Sequence, residues 1–100
     1  MERRIAILTQ KGFLGKGIQE DTQINVFKLN DEKIYEYESM ELKSNDKASF
    51  TKLLKLKEIS MVYIDTINEE LENLLNMLGI SIKRKEDWGE DQFIRQFVFA

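Results

Sequence analysis

The 100-residue sequence contains no cysteine and no histidine. Without cysteine, the chain can form no disulfide, thiol nucleophile or thiolate metal site. Without histidine, it lacks the commonest metal ligand and the commonest general base. No other constellation of catalytic or metal-binding residues stands out, so we expect a protein that is not an enzyme and that holds no cofactor or metal.

Long apolar runs and a strong charge of either sign are also missing. No run approaches the roughly 18 apolar residues needed to span a bilayer, and the N-terminus lacks the apolar core of a signal peptide. The net charge of −3 argues against a nucleic acid or an acidic membrane as a partner. The sequence therefore predicts a cytoplasmic protein whose partner is a small ligand or another protein.

Residues 59–85 carry the strongest indication of the fold. The apolar run at residues 59–64 predicts a strand, and a shorter run at residues 80–82 predicts another. A strand that is apolar on both faces usually lies in a parallel sheet covered by helices. Between the two runs, four leucines recur at the spacing of an amphipathic helix, which Gly79 would end in a left-handed conformation: Leu71, Leu74, Leu75 and Leu78.

The first half of the chain predicts three more strands and a helix. Residues 5–8 form a buried strand, and residues 24–29 and 34–38 form a β-hairpin around polar turn residues. A helix capped by Asn45 or Asp46 follows the hairpin. In the second arm of the hairpin, two tyrosines alternate with two glutamates, which predicts one buried and one solvated face: Tyr35, Tyr37, Glu36 and Glu38.

The C-terminal segment is rich in phenylalanine. The spacing of its apolar residues predicts a short helix that packs on the sheet, while residues 96–99 are equally compatible with a strand. We expect Phe93 and Phe97 to pack within the chain and Phe99 to lie at the rim, available to a partner. Depending on how these rings are covered, the protein is a monomer or a homodimer.

In chain order, these elements predict a single α/β domain over residues 1–100. Right-handed crossovers would place strands one, four and five parallel and adjacent, with the hairpin on the far side of strand one. The predicted architecture is a ribonuclease-H-like mixed five-stranded sheet with the order 3-2-1-4-5, flanked by helices.

Three glycines follow the first strand and form a candidate ligand-binding loop: Gly12, Gly15 and Gly17. Their spacing does not match a phosphate loop, because Ile18 stands where such a loop has its lysine. The glycines are compatible with a flexible loop that needs positive φ angles. The alternative is an anion-binding nest of backbone N–H groups at the end of the strand.

Asp65 and Thr66, which follow the strand at residues 59–64, are further candidate ligand-binding residues. The carboxyl ends of strands are where open α/β sheets bind ligands. Asp65 is also compatible with a structural role in the turn. Thr66 and Glu69 have the spacing of a capping box, which would start the following helix.

The order of elements and several short segments resemble the dinitrogenase iron–molybdenum cofactor biosynthesis family. Such members open with a strand like residues 4–8, continue with an arm like residues 24–29, and end with a strand, a helix and a pair like Gly79-Ile80. Two family features are missing: residues 17–19 stand where the family has a His-Phe-Gly stretch, and Asn68 replaces a glycine before the second helix. The resemblance implies a small domain that carries metal-cluster precursors.

With neither cysteine nor histidine, no cluster ligand of that family can be transferred to this chain. We therefore expect a non-enzymatic binding or carrier module without a tightly bound cluster. The alternative is a carboxylate-metal phosphodiesterase or nuclease, as in other ribonuclease-H-like folds, which gather several acids around divalent ions. The first strand carries no acid between residues 4 and 8, which favours the binding module.

Overall fold

The computed structural model describes residues 2–19, 21–31, 33–42 and 46–84. They form a mixed α/β fold with six strands and two helices. In chain order, the elements are β1 (Glu2–Gln10), β2 (Phe13–Leu14), β3 (Gln23–Asn30), β4 (Lys33–Glu41), α1 (Lys47–Leu56), β5 (Met61–Ile64), α2 (Glu69–Met77) and β6 (Ser81–Arg84).

The strands lie in the order β4-β3-β1-β5-β6, and β2 pairs with β1 outside this path. β1, β5 and β6 are parallel, whereas β3 and β4 pair antiparallel with their neighbours. The predicted order 3-2-1-4-5 needs correction, because the unpredicted strand β2 makes the sheet six-stranded. The five longer strands have the neighbours that the prediction gave them. A two-residue strand is too short to leave a periodic pattern in the sequence.

The central strands are buried on both faces of the sheet. On one face, Ala6 of β1 and Val62 of β5 pack in the same cluster as Phe50 of α1 and Leu75 of α2. On the other face, side chains of β1, β3 and β5 form a second cluster that includes Tyr63. Both described helices therefore pack on the same face of the sheet.

Both helices begin at residues that cap free backbone N–H groups. The predicted cap Asp46 accepts hydrogen bonds from the Ser49 hydroxyl at 2.9 Å and the Ala48 N–H at 3.1 Å, and these bonds lower its pKa. At α2, the cap is Asn68, which accepts from the Leu71 N–H at 2.8 Å. The predicted capping box at Thr66 is therefore wrong, because the helix begins two residues later and an amide caps it as well as a hydroxyl.

Both helices also end with the same backbone turn. After α2, Gly79 has φ +76°, as predicted, and the Ile80 N–H donates to the Leu75 carbonyl at 3.0 Å. After α1, Glu58 takes the equivalent place with φ +57°, and the Ile59 N–H donates to the Leu54 carbonyl at 3.0 Å. These are Schellman motifs, which satisfy the last carbonyls of a helix and usually use glycine at the left-handed position.

The predicted buried face of the second hairpin arm is wrong. Tyr35 and Tyr37 are 54% and 56% exposed, because β4 lies at the edge of the sheet and neither of the two described helices packs over these rings. A register shift against β3, between Lys28 and Leu29, also interrupts the strict alternation along β4. Alternation in the sequence reports which residues share a face but not whether anything covers that face.

The predicted C-terminal helix or strand with Phe93, Phe97 and Phe99 lies outside the described residues. Within the described part of the chain, neither helix is long and apolar enough to cross a membrane.

Candidate functional site

β1 and β5 diverge at their carboxyl ends and create a crevice in the sheet. The two strands pair directly from Ile5 and Met61 to Ile7 and Tyr63, and no further. Beyond that point, β1 is flanked by β2 on the side of β5 and by β3 on its other side. From β1 the sheet continues toward β3, and from β5 it continues in the opposite direction, toward β6. The order in which strands are added to the sheet therefore reverses between β1 and β5. In open α/β sheets, such a switch point is where ligands bind.

The crevice is filled by the protein's own backbone. The Gly15 N–H donates to the Leu8 carbonyl of β1 at 2.7 Å, and the Gly15 carbonyl accepts from the Asp65 N–H at 2.8 Å. The Gly17 N–H then donates to the Thr66 carbonyl at 2.8 Å. We call residues 15–19 the strap, because they bridge the ends of β1 and β5. Four of the five predicted site residues thus come together at one edge of the sheet.

The fifth predicted residue, Gly12, lies in the turn between β1 and β2. Lys11 and Gly12 have φ +54° and +84° and form the two-residue loop of this hairpin. Two successive positive φ angles are the requirement of a type I′ turn, whose twist matches the flanking strands. Gly12 therefore has a local conformational role and makes no described contact with the strap.

Two polar residues that the sequence did not single out hold the strap in place. The Gln10 amide donates to the Thr22 hydroxyl at 2.9 Å and to the Gly17 carbonyl at 3.3 Å, and it accepts from the Lys16 N–H at 3.2 Å. The Thr22 hydroxyl also accepts from the Gln19 N–H at 2.9 Å. Thr22 is completely buried. A buried threonine just before a strand was the available signal in the sequence, but it is too common to single out.

Gly15 has a steric role that depends on the absence of a side chain. A Cβ atom at this position would lie 3.2 Å from the Leu8 carbonyl oxygen, which is closer than most real Cβ contacts. Glycine therefore permits the close approach of strap and strand.

The anion-nest alternative does not fit this geometry. The N–H groups of Gly15, Lys16 and Gly17 all donate to groups within the protein. An anion bound there would have to displace these bonds. The Lys16 side chain is exposed and Asp65 is half-buried, so the edge carries charges of both signs.

The described part of the chain contains no candidate metal site, and three groups with shifted pKa values lie far from the crevice. Among these residues, no group of three or more histidine, cysteine, aspartate or glutamate side chains could hold a metal ion. A hydrogen bond with the Tyr35 hydroxyl lowers the pKa of Glu2, and the same bond raises the pKa of Tyr35. The Lys28 ammonium lowers the pKa of Glu36. These groups lie where β1 begins, at the opposite end of that strand from the crevice.

Two solved structures share this fold. The chain superposes on the protein PH0822 with a TM-score of 0.69 and 17% sequence identity, over 81% of this chain and 75% of that one. It superposes on a "putative dinitrogenase (mj0327)" from Methanocaldococcus jannaschii with a TM-score of 0.63 and 13% identity, over 82% of this chain and 74% of that one. The sequence matches no protein-family profile and no curated protein. At these identities, the likeness establishes the fold alone.

Proposed function

We propose that this chain is a non-enzymatic binding or carrier module on a ribonuclease-H-like scaffold, diverged from the dinitrogenase iron–molybdenum cofactor biosynthesis family. The observation that supports the proposal most directly is that the strap closes the crevice. The position where this kind of sheet binds ligands is closed by backbone hydrogen bonds of the strap. Such a site can hold or release a partner. Among the described residues, Asp65 is the acid whose backbone contacts the strap, and no cluster of histidine, cysteine or acidic side chains is present for acid–base or nucleophilic chemistry.

Two observations support the link to that family. The order of elements resembles the family from the sequence alone, and the fold is shared with the Methanocaldococcus jannaschii protein described above. Neither observation transfers a ligand, because fold does not determine function.

The donor atoms of this chain do not fit an iron–molybdenum cluster. Such clusters are held by soft thiolate or imidazole ligands, and the whole sequence contains neither cysteine nor histidine. We therefore propose that the module binds a small ligand without a metal cluster, or a protein. Exposed apolar side chains near the ends of both helices favour a protein partner: Leu56, Met77 and Leu78.

No observation favours the nuclease alternative. A two-metal phosphodiesterase needs acids from several neighbouring strands around one point. The acid of β1, Glu2, lies at the opposite end of that strand from Asp65. The cytoplasmic location stays a prediction from the sequence.

The test is anaerobic expression in medium supplied with iron and molybdate, followed by elemental analysis and native mass spectrometry. We expect clearly less than one equivalent of iron or molybdenum, and a mass that reports any retained organic ligand or second subunit. The variant Asp65→Asn is the matched control, because metal that is lost on this change depends on the Asp65 carboxylate. A stoichiometric, visibly absorbing cluster in the unmodified chain would refute the proposal. So would phosphodiesterase activity with Mg²⁺ or Mn²⁺ that Asp65→Asn abolishes.

A further inference from the structure

We propose that the strap is a built-in gate, which Gln10 and Thr22 latch over the crevice and which opens as one unit without unfolding of the sheet. Such opening is a conformational property of the chain, whether or not the domain binds a ligand of the kind proposed above.

The latch is specific because the Gln10 amide has only one orientation that satisfies its neighbours. The Gly17 carbonyl can only accept a hydrogen bond, so it faces the amide nitrogen, 3.3 Å away. The Lys16 N–H can only donate, so it faces the amide oxygen, 3.2 Å away. One side chain of β1 thereby fixes two successive residues of the strap.

Thr22 fixes the other end of the strap and anchors it to the sheet. Its hydroxyl accepts from Gln10 and from the Gln19 N–H, and its own N–H donates to the Gln19 carbonyl at 3.1 Å. The Thr22 carbonyl accepts from the Leu42 N–H at 2.7 Å, beside β4. Thr22 therefore anchors the strap at a fixed position just before β3.

The strap itself is held mainly by hydrogen bonds and buries little apolar surface. Lys16 and Gln19 are exposed, Gly17 has no side chain, and only Ile18 packs partly against the core. Residues 5–8 of β1, by contrast, are almost completely buried. Segments with few buried apolar contacts open at a lower free energy than the core they lie on.

Opening would expose a compact set of polar groups at the carboxyl ends of two parallel strands. The Asp65 N–H and the Thr66 carbonyl would lose their partners in the strap, and the Gln10 amide would lose its bonds to Lys16 and Gly17. These groups supply donors and acceptors side by side. The open crevice therefore suits a small polar ligand that both donates and accepts hydrogen bonds.

The test is native-state hydrogen exchange of the full chain, measured residue by residue by NMR. The reporters are the amides of Lys16, Gly17, Gln19 and Asp65, and the references are the slowest amides of β1 and β5. We expect the reporters to exchange with one common opening, at least tenfold more frequent than the opening that exposes the references.

Two variants separate the gate from ordinary unfolding. Gln10→Ala removes up to three hydrogen bonds and should raise exchange of the reporters about tenfold or more. The matched core variant Ile80→Val weakens contacts that stay intact in the open gate. It should speed the references severalfold and leave the reporters unchanged.

Thr22→Val and Thr22→Ser complete the design. Valine removes the hydroxyl acceptor and should act like Gln10→Ala, whereas serine keeps it and should restore most of the protection. The gate is refuted if reporters and references exchange through the same opening and Ile80→Val speeds both equally. It is also refuted if Gln10→Ala and Thr22→Val leave the reporters unchanged.

Discussion

β5 and β4 are both strands of the same sheet, yet different forces hold them. Three successive residues of β5 are completely buried: Val62, Tyr63 and Ile64. In β4, residues 33–37 are exposed, and the strand is joined to the sheet by its backbone ladder with β3, supplemented by surface ion pairs such as that of Glu38 with Lys57 at 2.9 Å. A covered strand gains its stability from burial, which is large, while an exposed ion pair contributes little. The position of a residue in the sheet therefore decides how much it contributes to the stability of the protein.

The largest expected difference between the two strands appears when a tyrosine is truncated to alanine in each of them. Tyr63→Ala should cost about 3–5 kcal/mol of unfolding free energy, because it removes a fully buried ring from the core. Tyr37→Ala should cost about 1 kcal/mol, from its contact with the Phe27 ring at a centroid distance of 5.0 Å. Chemical denaturation measures both values.

Tyr37→Phe is the matched control for this pair, since it keeps the ring and removes only the hydroxyl that donates to Asn25 at 3.1 Å. Equal costs for Tyr63→Ala and Tyr37→Ala would contradict the distinction between covered and exposed strands.

A smaller effect is expected at the two turns that lead from the helices into the covered strands. Gly79→Ala should destabilise the protein by about 1 kcal/mol, because a Cβ strains the left-handed conformation. Glu58→Gly should stabilise it by about 0.5–1 kcal/mol for the converse reason. Denaturation midpoints measure both changes.

Glu58 also lies 3.3 Å from the Arg4 guanidinium, so Glu58→Asn serves as the control. Asparagine removes the ion pair but tolerates a left-handed conformation better than glutamate does. If Gly79→Ala left the midpoint unchanged, the backbone there would be ordinary helix and the motif would have no energetic role.

The smallest expected effect concerns the pH dependence of stability, and it comes from the ion pair between Glu36 of β4 and Lys28 of β3. The Lys28 ammonium holds the pKa of Glu36 below its ordinary value of 4.5. A lowered pKa in the folded state stabilises the protein above pH 4.5, and this contribution is lost as the pH falls through the lowered pKa. Glu36→Gln should therefore flatten the acid side of the stability curve.

Glu41→Gln is the matched control for that experiment, because Glu41 lies exposed on the same strand. Thermal unfolding between about pH 3 and 6 would show the difference. An unchanged acid slope in Glu36→Gln would mean that the ion pair with Lys28 does not form in solution.

The sequence predicted much of this fold because its strongest patterns report burial on both sides of a strand. Residues 59–64 are apolar apart from Ser60, and Met61–Ile64 became strand β5 of the central parallel sheet. Gly79 predicted a left-handed helix end, and the structure has φ +76° there. These features are local: each depends on residues within a few positions of one another.

The strap is the opposite case, because its partners are distant in the chain. The sequence brought forward Gly15, Gly17, Asp65 and Thr66 as separate residues of two loops. Their pairing depends on the 50 or so residues between them folding into a hairpin and a helix, which no local spacing reports. For the same reason, Gln10 and Thr22 went unnoticed, since a polar side chain reveals its partner only when the strands are in place.

By itself, the sequence determined the class of elements, the covered strand β5, the end of α2 and the exclusion of thiolate and imidazole chemistry. Only the tertiary structure decided that β4 is an exposed edge, that β2 exists and that the crevice is closed by the chain itself. Hydrophobic periodicity encodes which side of an element is apolar. What lies against that side is a matter of long-range packing, which a one-dimensional pattern does not contain.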